Sequence, residues 1–410
     1  QHVFLESAEF NMNRRDFLCQ SMGIAAGAIA YPYPVREGTD SPTVPKPCPP
    51  DAWHKHGVVL KPTEEWEGGT IQNFTCPAEP LGNDRWRLWY SSHGKDYRYN
   101  IAYAEGIPGQ PFKKVLAQYT PGDPGQGEFV IGHLPAEWNP IQVVHIRLQN
   151  GRHRIYFWAH GPRICRYLAA ESADGKRYTV VDPLRPVLWH PSDRAAHGVP
   201  SPDGVMMSHG PVSRPGDEPP AESRLISNDA TNVYQLADGT FEMYSVALVQ
   251  VPSSDPAYVA SDNAPGLLRV IDRYTSADGL RFETRQRVIE RDAQDPVDQQ
   301  FYYLSVTQTP QGRVGMLGHY RVQAQTMDLE WCYSADGVKW NRPQRTAWLP
   351  RGDRSQADSY GIYAPSQLVQ HDRKWHLFYH GVNSAHNLKD SYGPPRSEIL
   401  YATTQSIWAT

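Results

Sequence analysis

Three acidic residues, each shortly before an apolar run, are the strongest candidates for chemistry in this sequence. They are Glu67, Asp229 and Asp298. Two carboxyl groups that meet in one pocket can cleave a glycosidic bond, because one donates a proton to the leaving oxygen while the other activates water or attacks carbon. Burial and mutual repulsion separate their pKa values and so assign the two roles. A carboxylate at the start of a strand can instead cap a turn or pair with arginine, and that structural interpretation stays open for each.

A regular spacing predicts that several carboxylates occupy equivalent places. The pairs separated by fifteen positions are Glu137 and Arg152, Asp298 and Arg313, and Asp358 and Arg373. If the intervening turns match, these acidic residues lie at the same end of successive repeats. Glu67 takes a similar place once its longer turn is allowed for, whereas Asp229 lies closer to the strand that follows it.

Amide and aromatic side chains near these carboxylates suit the recognition of a sugar. Amides can hydrogen-bond hydroxyl groups, and aromatic rings offer flat apolar faces. The residues that we predict to bind substrate are Asn73, Trp138, Gln142, His145, Asn232, Gln299, Tyr302, Asp358, Tyr360 and Tyr363.

Strand alternation puts Gln142 and His145 on opposite faces, so both reach one cleft only if their strand is irregular or its mouth is open on two sides. A single histidine is more often structural than catalytic. No HxxxH or similar spacing among the histidines makes a metal site specific, so we predict no metal centre and no cofactor. A structural calcium ion in the channel stays open as an alternative.

A repeated turn indicates how the chain positions these residues. Residues 274–282 (YTSADGLRF) recur with few changes as residues 332–340 (CYSADGVKW) and 170–178 (AESADGKRY). The Asp side chain of each turn can hydrogen-bond its own backbone, and the Gly supplies a positive φ. An apolar run precedes each turn, and two divergent copies, at residues 85–106 and 374–408, extend the pattern to five units.

Five repeats and a spare N-terminal strand predict an all-β, five-bladed β-propeller. The run GVVLKP at residues 57–62 resembles the fourth strands that end the first four units, at residues 114–119, 186–191, 287–292 and 345–350. The fifth unit has no such strand after residue 408, so the N-terminal strand would join the last blade and close the ring. A sandwich or a two-domain all-β arrangement is the alternative.

Composition agrees with many short strands and limits the partners. The chain of 410 residues contains 32 Gly, 36 Pro, 23 Tyr and 12 Trp, and no long amphipathic helical pattern competes. The formal net charge is −4, with acidic and basic residues interspersed, which argues against nucleic-acid and membrane-surface binding. An oligosaccharide or polysaccharide is the expected partner, and the oligomeric state stays open.

The N-terminal region carries features of an export signal. Arg14 and Arg15 precede the short apolar run SMGIAAGAIA, which is typical of a twin-arginine signal over residues 1–30 and predicts a periplasmic or secreted protein. Residues 31–56 form a Pro-rich linker, and the propeller domain occupies residues 57–410. Residues 191–224 form the largest insertion, either a lid over the pocket or a surface loop. The four cysteines that follow the predicted signal are each expected to be a core thiol: Cys48, Cys76, Cys165 and Cys332.

These features resemble one family group. The aromatic strands, the SxDGxxW-like turn, the five units and the Asp-x-x-Asn-Val segment at Asp229 are similar to five-bladed propeller glycosidases, which include arabinanases, xylosidases and invertase-like enzymes. The resemblance covers residues 57–408. In the arabinanase-like branch it implies an Asp opening unit one, an Asp in unit two and a Glu opening unit three. This sequence departs from that triad, with Asn73 in unit one, Gln142 or His145 in unit two, and Asp229 in unit three.

The sequence therefore predicts an exported glycoside hydrolase with paired carboxylates at the mouth of the channel. A lyase on the same fold is one alternative, with His145 or a tyrosine removing a proton beside a uronic carboxylate. A propeller that binds carbohydrate without catalysis is the other.

Overall fold

The computed structural model describes residues 44–71, 75–94, 99–120, 127–134, 138–160, 164–183, 185–188, 206–207, 225–226, 230–262, 265–282, 284–363, 365, 367–386 and 390–409. Within these ranges the chain is all-β, and its helical segments are two short 3₁₀ turns, Pro50–Ala52 and Glu65–Glu67. Among the same residues, no helix has the length and hydrophobicity needed to span a bilayer. The predicted export signal and most of the 191–224 insertion lie outside the described residues.

The strands fall into groups along the chain, which we call units one to five, preceded by β1 (His54–Leu60). Unit one contains β2 (Ala78–Gly82), β3 (Arg85–His93), β4 (Tyr99–Gly106) and β5 (Lys113–Leu116). Unit two contains β6 (Gln118–Thr120), β7 (Val130–Gly132), β8 (Asn139–Arg147), β9 (His153–His160), β10 (Ile164–Ser172), β11 (Arg177–Val180) and β12 (Met206–Met207).

The remaining strands form three further units. Unit three contains β13 (Leu225–Ile226), β14 (Asn232–Gln235), β15 (Phe241–Gln250), β16 (Leu267–Ser276) and β17 (Thr284–Ile289). Unit four contains β18 (Gln299–Thr309), β19 (Gly312–Arg321), β20 (Thr326–Ser334) and β21 (Ala347–Leu349). Unit five contains β22 (Gly361–Tyr363), β23 (Val369–His371), β24 (Lys374–Val382) and β25 (Ser397–Thr404).

Each unit is built on an antiparallel ladder of consecutive strands. The ladders run β2-β3-β4-β5, β8-β9-β10-β11, β14-β15-β16-β17, β18-β19-β20-β21 and β23-β24-β25-β1. The N-terminal strand β1 thus pairs with the last strand β25, with His54 opposite Thr403 and Leu60 opposite Ile399. It begins before Gly57, inside the segment that the sequence assigned to the linker.

Hydrogen bonds connect neighbouring units, four of them between a side chain and a backbone atom and the fifth between two backbone atoms. The donor and acceptor pairs are Thr75 Oγ1 to Val143 O, Tyr167 OH to Thr231 O, Val306 N to Tyr234 OH, Tyr303 OH to Ile362 O, and Ile71 N to Ser397 O. In order, these bonds join unit one to two, two to three, three to four, four to five, and five to one. The buried core likewise lies between units, where Trp158 of unit two packs in one cluster with Met243 of unit three.

The repeated turn folds as its sequence predicts. In the copy at residues 274–282, Ser276 Oγ accepts a hydrogen bond from Gly279 N at 2.9 Å, and Asp278 Oδ1 accepts one from Leu280 N at 2.8 Å. Gly279 has a φ of 70°. Burial alone would raise the pKa of Asp278, but these backbone and hydroxyl hydrogen bonds leave it below its ordinary value. The same bonds recur at Ser172 and Ser334.

One predicted outer strand is wrong. Unit two ends its ladder with β11, and residues 186–188, the described part of the strand predicted at 186–191, form no strand. Leu188 makes an isolated bridge with Phe282 of the next unit instead. The segment therefore packs between two units, which its apolar composition could not distinguish from a fourth strand. Cys48, Cys76 and Cys332 are buried free thiols, as expected of core cysteines.

Candidate functional site

Several predicted sugar-binding residues lie on four strands, which we call the leading strands. They are β8, β14 and β18, which begin the ladders of units two, three and four, and β22, which pairs with β24 in unit five. Gln142 in β8 has a φ of 59° and lies inside a pairing irregularity that extends from Ile141 to Val144. Its backbone N–H donates to Ser91 Oγ at 2.9 Å. Its buried Oε1 has no hydrogen-bond partner among the described residues. The strand is thus irregular at the point where the sequence analysis required it to be.

Asn232 and Gln299 repeat this arrangement on the next two leading strands. Asn232 is buried, and its Nδ2 donates to Ser305 Oγ at 3.3 Å while its Oδ1 has no described partner. The Nε2 of Gln299 donates to Gln300 O at 2.6 Å, and its Oε1 has no described partner. Leading strand β18 also carries a pairing irregularity, between Phe301 and Leu304. Such irregularities are over-represented next to active sites, where they redirect side chains.

Glu67 has the surroundings of a structural ion pair. Its side chain is fully buried, and Lys114 Nζ lies 2.7 Å from Oε2. The same carboxylate accepts hydrogen bonds from the backbone N–H groups of Thr63 and Glu64 and from the hydroxyl of Tyr90. Both oxygens are engaged by donors of the protein, so these contacts account for the residue without a substrate.

Asp298 and Asp358 are also paired with basic side chains. Asp298 Oδ1 accepts from Arg321 Nε at 2.9 Å and from Arg321 Nη2 at 2.6 Å, and Oδ2 accepts from Gln323 N at 3.1 Å. Asp358 accepts from Lys55 Nζ at 2.6 Å and from Tyr379 OH at 3.0 Å. Arg321 is 36% exposed. Asp298 therefore lies beneath a solvent-accessible guanidinium, next to Gln299.

His145 is enclosed by other side chains. Its ring stacks on Trp89 with a centroid separation of 3.7 Å, and its Nε2 lies 3.0 Å from His153 Nδ1. Burial is the main cause of a pKa held well below the ordinary histidine value. His145 also lies within metal-ligand distance of Glu79 and His153. Its partners are thus Trp89 and His153, and its role as a sugar ligand stays a prediction.

A hydrogen-bonded cluster joins units four and five, and it contains the predicted substrate-binding residues Tyr302 and Tyr363 together with His386, which was not among the predicted site residues. His386 Nδ1 lies 2.7 Å from Tyr363 OH, and His386 Nε2 lies 2.9 Å from Tyr302 OH. The ring of Tyr320 contacts the same imidazole edge-on, at a centroid distance of 5.0 Å. All four side chains are buried. His386 lies in the loop after β24, and its only sequence signal was a histidine in a polar loop.

A second missed group lies against this cluster. The guanidinium of Arg269 lies 4.6 Å from the ring centroid of Tyr302 and donates to Gln300 Oε1 at 2.9 Å. Gln300 Nε2 donates to Asp262 Oδ2 at 3.3 Å, and Tyr320 OH donates to Asp262 Oδ1 at 3.2 Å. Three tyrosines thus adjoin one imidazole, and a cation, a carboxylate and an amide contact those tyrosines or one another, an arrangement able to bind polar groups and move protons.

The other predicted residues have separate surroundings. Trp138 is half-buried, and Arg166 lies 5.4 Å from its ring centroid. Tyr360 OH donates to Asp390 Oδ2 at 2.8 Å, and burial together with that hydrogen bond raises the pKa of Tyr360. Asn73 and Asp229 lie outside the described residues.

The arrangement of the strands matches known structures. The chain shares its fold with solved glycoside hydrolases. One structure described as a glycoside hydrolase is 14% identical, with a TM-score of 0.54 over 90% of this chain and 94% of that chain. An N-acetylgalactosamine deacetylase from F. plautii, in complex with blood group B trisaccharide, is 13% identical, with a TM-score of 0.51 over 88% of this chain and 95% of that chain.

A third structure belongs to the GH130 family of mannoside phosphorylases, which contains glycoside hydrolases that target β-1,2 mannosidic linkages in Candida mannan. It is 14% identical, with a TM-score of 0.50 over 90% of this chain and 95% of that chain. No family model and no curated protein sequence matches the chain. At these identities the likeness establishes a shared, propeller-like all-β fold.

Proposed function

We propose that the protein is a glycoside hydrolase built as a five-bladed β-propeller, with units one to five as its blades. The pairing of β1 with β25 and the hydrogen bond from Ile71 N to Ser397 O support a ring in which the chain ends meet in the fifth blade. In such a ring the leading strands surround the axis, and residues near their starts share one end of the channel.

The observation that carries the proposal is a set of three buried amide oxygens on successive leading strands, which the proposed ring would bring to that end. Gln142, Asn232 and Gln299, from three successive units, each have a buried amide oxygen without a hydrogen-bond partner among the described residues. Leaving such an acceptor unsatisfied costs about 1–3 kcal/mol, so a ligand that donates hydrogen bonds relieves that cost. Sugar hydroxyls are donors of this kind, and the three oxygens come from chain segments far apart in sequence.

The acid and base of the proposed reaction are Asp229 and Asp298. Both oxygens of Asp298 accept hydrogen bonds from the protein, as those of Glu67 do. Its cationic partner Arg321 is 36% exposed whereas Lys114 beside Glu67 is 7% exposed, so Arg321 can move toward solvent and leave Asp298 to activate water or attack carbon. Asp229 immediately precedes buried Ala230 and the leading strand β14, so its sequence position suits the proton donor. Glu67, whose contacts are those of a buried ion pair, is assigned a structural role in this proposal.

The test is turnover by matched variants on a panel of plant and algal glycans with a reducing-sugar assay. We expect Asp229→Asn and Asp298→Asn each to lower kcat by about 10²-fold or more, because general acid-base groups contribute about that factor. Glu171→Gln is the control, since it weakens a comparable contact to Arg154 at 2.6 Å in an outer part of unit two. Full turnover by a folded Asp298→Asn variant contradicts the assignment of that residue, and glycan binding without turnover by the wild type favours a non-catalytic propeller.

A lyase is the second candidate, favoured by the hydrogen bonds of His386 to Tyr302 and Tyr363. The imidazole of His386 can take the hydroxyl proton of Tyr302 while the tyrosine oxygen removes the proton beside a uronic carboxylate. The bond to the leaving sugar oxygen then breaks as the carbon–carbon double bond forms, and that oxygen takes up a proton. Arg269 next to Tyr302 supplies a positive charge. Elimination creates a carbon–carbon double bond and hydrolysis does not. An unsaturated product that absorbs ultraviolet light, formed from a uronic polymer and lost in Tyr302→Phe, distinguishes the two reactions.

Export through a twin-arginine pathway is part of the same proposal. Arg14 and Arg15 precede the apolar run in the sequence. Replacing both by lysine keeps the charge, and we expect the full-length protein then to stay in the cytoplasmic fraction. Unchanged fractionation would remove the twin-arginine assignment without affecting the proposed reaction.

A further inference from the structure

Three potential metal ligands converge at the contact between units one and two. Glu79 in β2, His145 in β8 and His153 in β9 place one ligand atom each within 4.8 Å of one another. The two imidazole nitrogens, Nε2 of His145 and Nδ1 of His153, are 3.0 Å apart. Ligand atoms around a tetrahedral zinc ion are about 3.3 Å apart, since each lies about 2.0–2.1 Å from the metal. Only small side-chain movements separate the observed positions from that geometry.

The two imidazoles are held in place by packing. Trp89 stacks on the ring of His145 at an interplanar angle of 12°. Behind His153, a Cβ added to Gly175 would lie 2.9 Å from the imidazole Cε1, so the repeated turn at Ser172–Gly175 closes directly against this ring. Both histidines are buried, so packing restricts the movement of their rings.

The carboxylate of Glu79 is weakly committed to other partners. Its nearest cations are Arg147 at 3.5 Å and Arg87 at 4.0 Å. Arg87 makes shorter contacts elsewhere, at 2.6 Å to Glu105. Arg147 is 62% exposed and can leave toward solvent. A metal ion can therefore take the carboxylate without leaving a buried arginine unpaired.

An unsatisfied hydroxyl lies in the same part of the core. The hydroxyl of Tyr178 is buried and has no hydrogen-bond partner among the described residues. Tyr178 packs in one buried cluster with Trp89, the ring that stacks on His145. An orphaned polar atom of this kind indicates a missing partner, such as a metal-bound water.

We propose that Glu79, His145 and His153 bind a divalent transition metal of the zinc type, which fastens unit one to unit two. Two imidazoles, one carboxylate and an open fourth position are a recurrent zinc ligand set. Calcium and magnesium prefer oxygen ligands, so two nitrogen donors disfavour both ions. Glu79 and His153 have no part in the proposed hydrolysis, and His145 enters it only as a predicted sugar ligand, so the metal site is tested separately from that activity.

Zinc binding to the chelator-treated, full-length protein tests the proposal by calorimetry and thermal unfolding. We expect one zinc ion per chain and a higher Tm when Zn²⁺ is added. His153→Gln and Glu79→Gln should each weaken binding by about 100-fold or more, since even outer-shell changes cost about 10–100-fold. The control is His376→Gln, which removes a buried histidine of unit five. The proposal is overturned if the wild type fails to bind zinc. It is also overturned if both ligand variants bind zinc as tightly as the wild type does.

X-ray absorption at the zinc edge of the wild-type protein gives an answer that needs no variant. Two imidazole nitrogens with oxygen donors are the expected shell. A shell without two imidazoles means that zinc binds elsewhere on the chain, and the assignment then fails even if His153→Gln does not fold.

Discussion

Removing the cation beside Glu67 is the sharpest test of how the buried carboxylates are used. Lys114 Nζ lies 2.8 Å and 2.7 Å from the two oxygens of a fully buried carboxylate. Lys114→Ala leaves that charge with only its neutral donors, Thr63 N, Glu64 N and Tyr90 OH. Breaking a buried pair by removing one partner costs about 3–5 kcal/mol. Because the neutral donors remain, we expect a loss near the lower end, about 3 kcal/mol in the free energy of unfolding.

The neighbouring lysine provides a matched control. Lys113 pairs with Glu128 at 3.1 Å, and the two side chains are 71% and 57% exposed. Exposed pairs contribute about 0–1 kcal/mol, so Lys113→Ala should have little effect on denaturant unfolding. If the two alanine variants unfold at the same denaturant concentration, the interpretation of Glu67 as half of a buried ion pair is refuted.

A double variant separates structure from catalysis at the same site. Glu67→Gln combined with Lys114→Met removes both charges, and such replacements of buried pairs are often neutral in stability. We expect the double variant to fold and to keep any glycan-cleaving activity of the wild type. A folded double variant without activity would return Glu67 to the catalytic group predicted from the sequence.

Three further outcomes follow from the structure. Gly337 and Gly151 both have a φ of 80°, but a Cβ at Gly337 would lie 2.7 Å from Tyr244 OH whereas one at Gly151 meets nothing within 4 Å. Gly337→Ala should therefore lower the free energy of unfolding, measured with denaturant, by about 1–3 kcal/mol more than Gly151→Ala does. Equal losses would contradict this. Burial lowers the pKa of His376, so the unfolded state binds more protons than the folded state as pH falls through about 6.5. The Tm should therefore drop between about pH 7.5 and 5.5, and drop less in His376→Gln, and an identical drop in the variant would refute the reasoning. Burial raises the pKa of the Cys332 thiol, so a thiol reagent should modify it only after unfolding, and rapid reaction in the native protein would contradict its position in the core.

The local parts of the fold followed from the sequence because short-range chemistry determines them. The three Ser-Ala-Asp-Gly turns combine a hydroxyl, a carboxylate and a glycine within four residues, and the same hydrogen bonds form in each copy. The pairing of an N-terminal strand with the last sheet also followed, since a missing outer strand in the fifth unit left one edge to be covered. Residues 186–188, within the strand predicted at 186–191, were misassigned because an apolar segment that packs between units resembles a strand.

The candidate site was only partly predictable. Gln142, Asn232 and Gln299 were selected as amides near the starts of strands, and the structure shows that each has an unpartnered buried oxygen among the described residues. His386 was not selected, although it lies between the hydroxyls of Tyr302 and Tyr363. Its loop comes from the end of unit five, and no local pattern states which loop reaches a strand 84 positions earlier.

The sequence by itself determined the all-β class, the repeated turn and the strand-rich units, because each depends on residues that are neighbours in the chain. Only the tertiary structure decided which charges are neutralised. Asp358 pairs with Lys55, 303 positions away, and Glu67 pairs with Lys114, 47 positions away. Spacing revealed the acidic residues but could not identify their partners, since an ion pair is set by which strands pack face to face. A carboxylate that looks free in the sequence can therefore be half of a buried salt bridge in the folded protein.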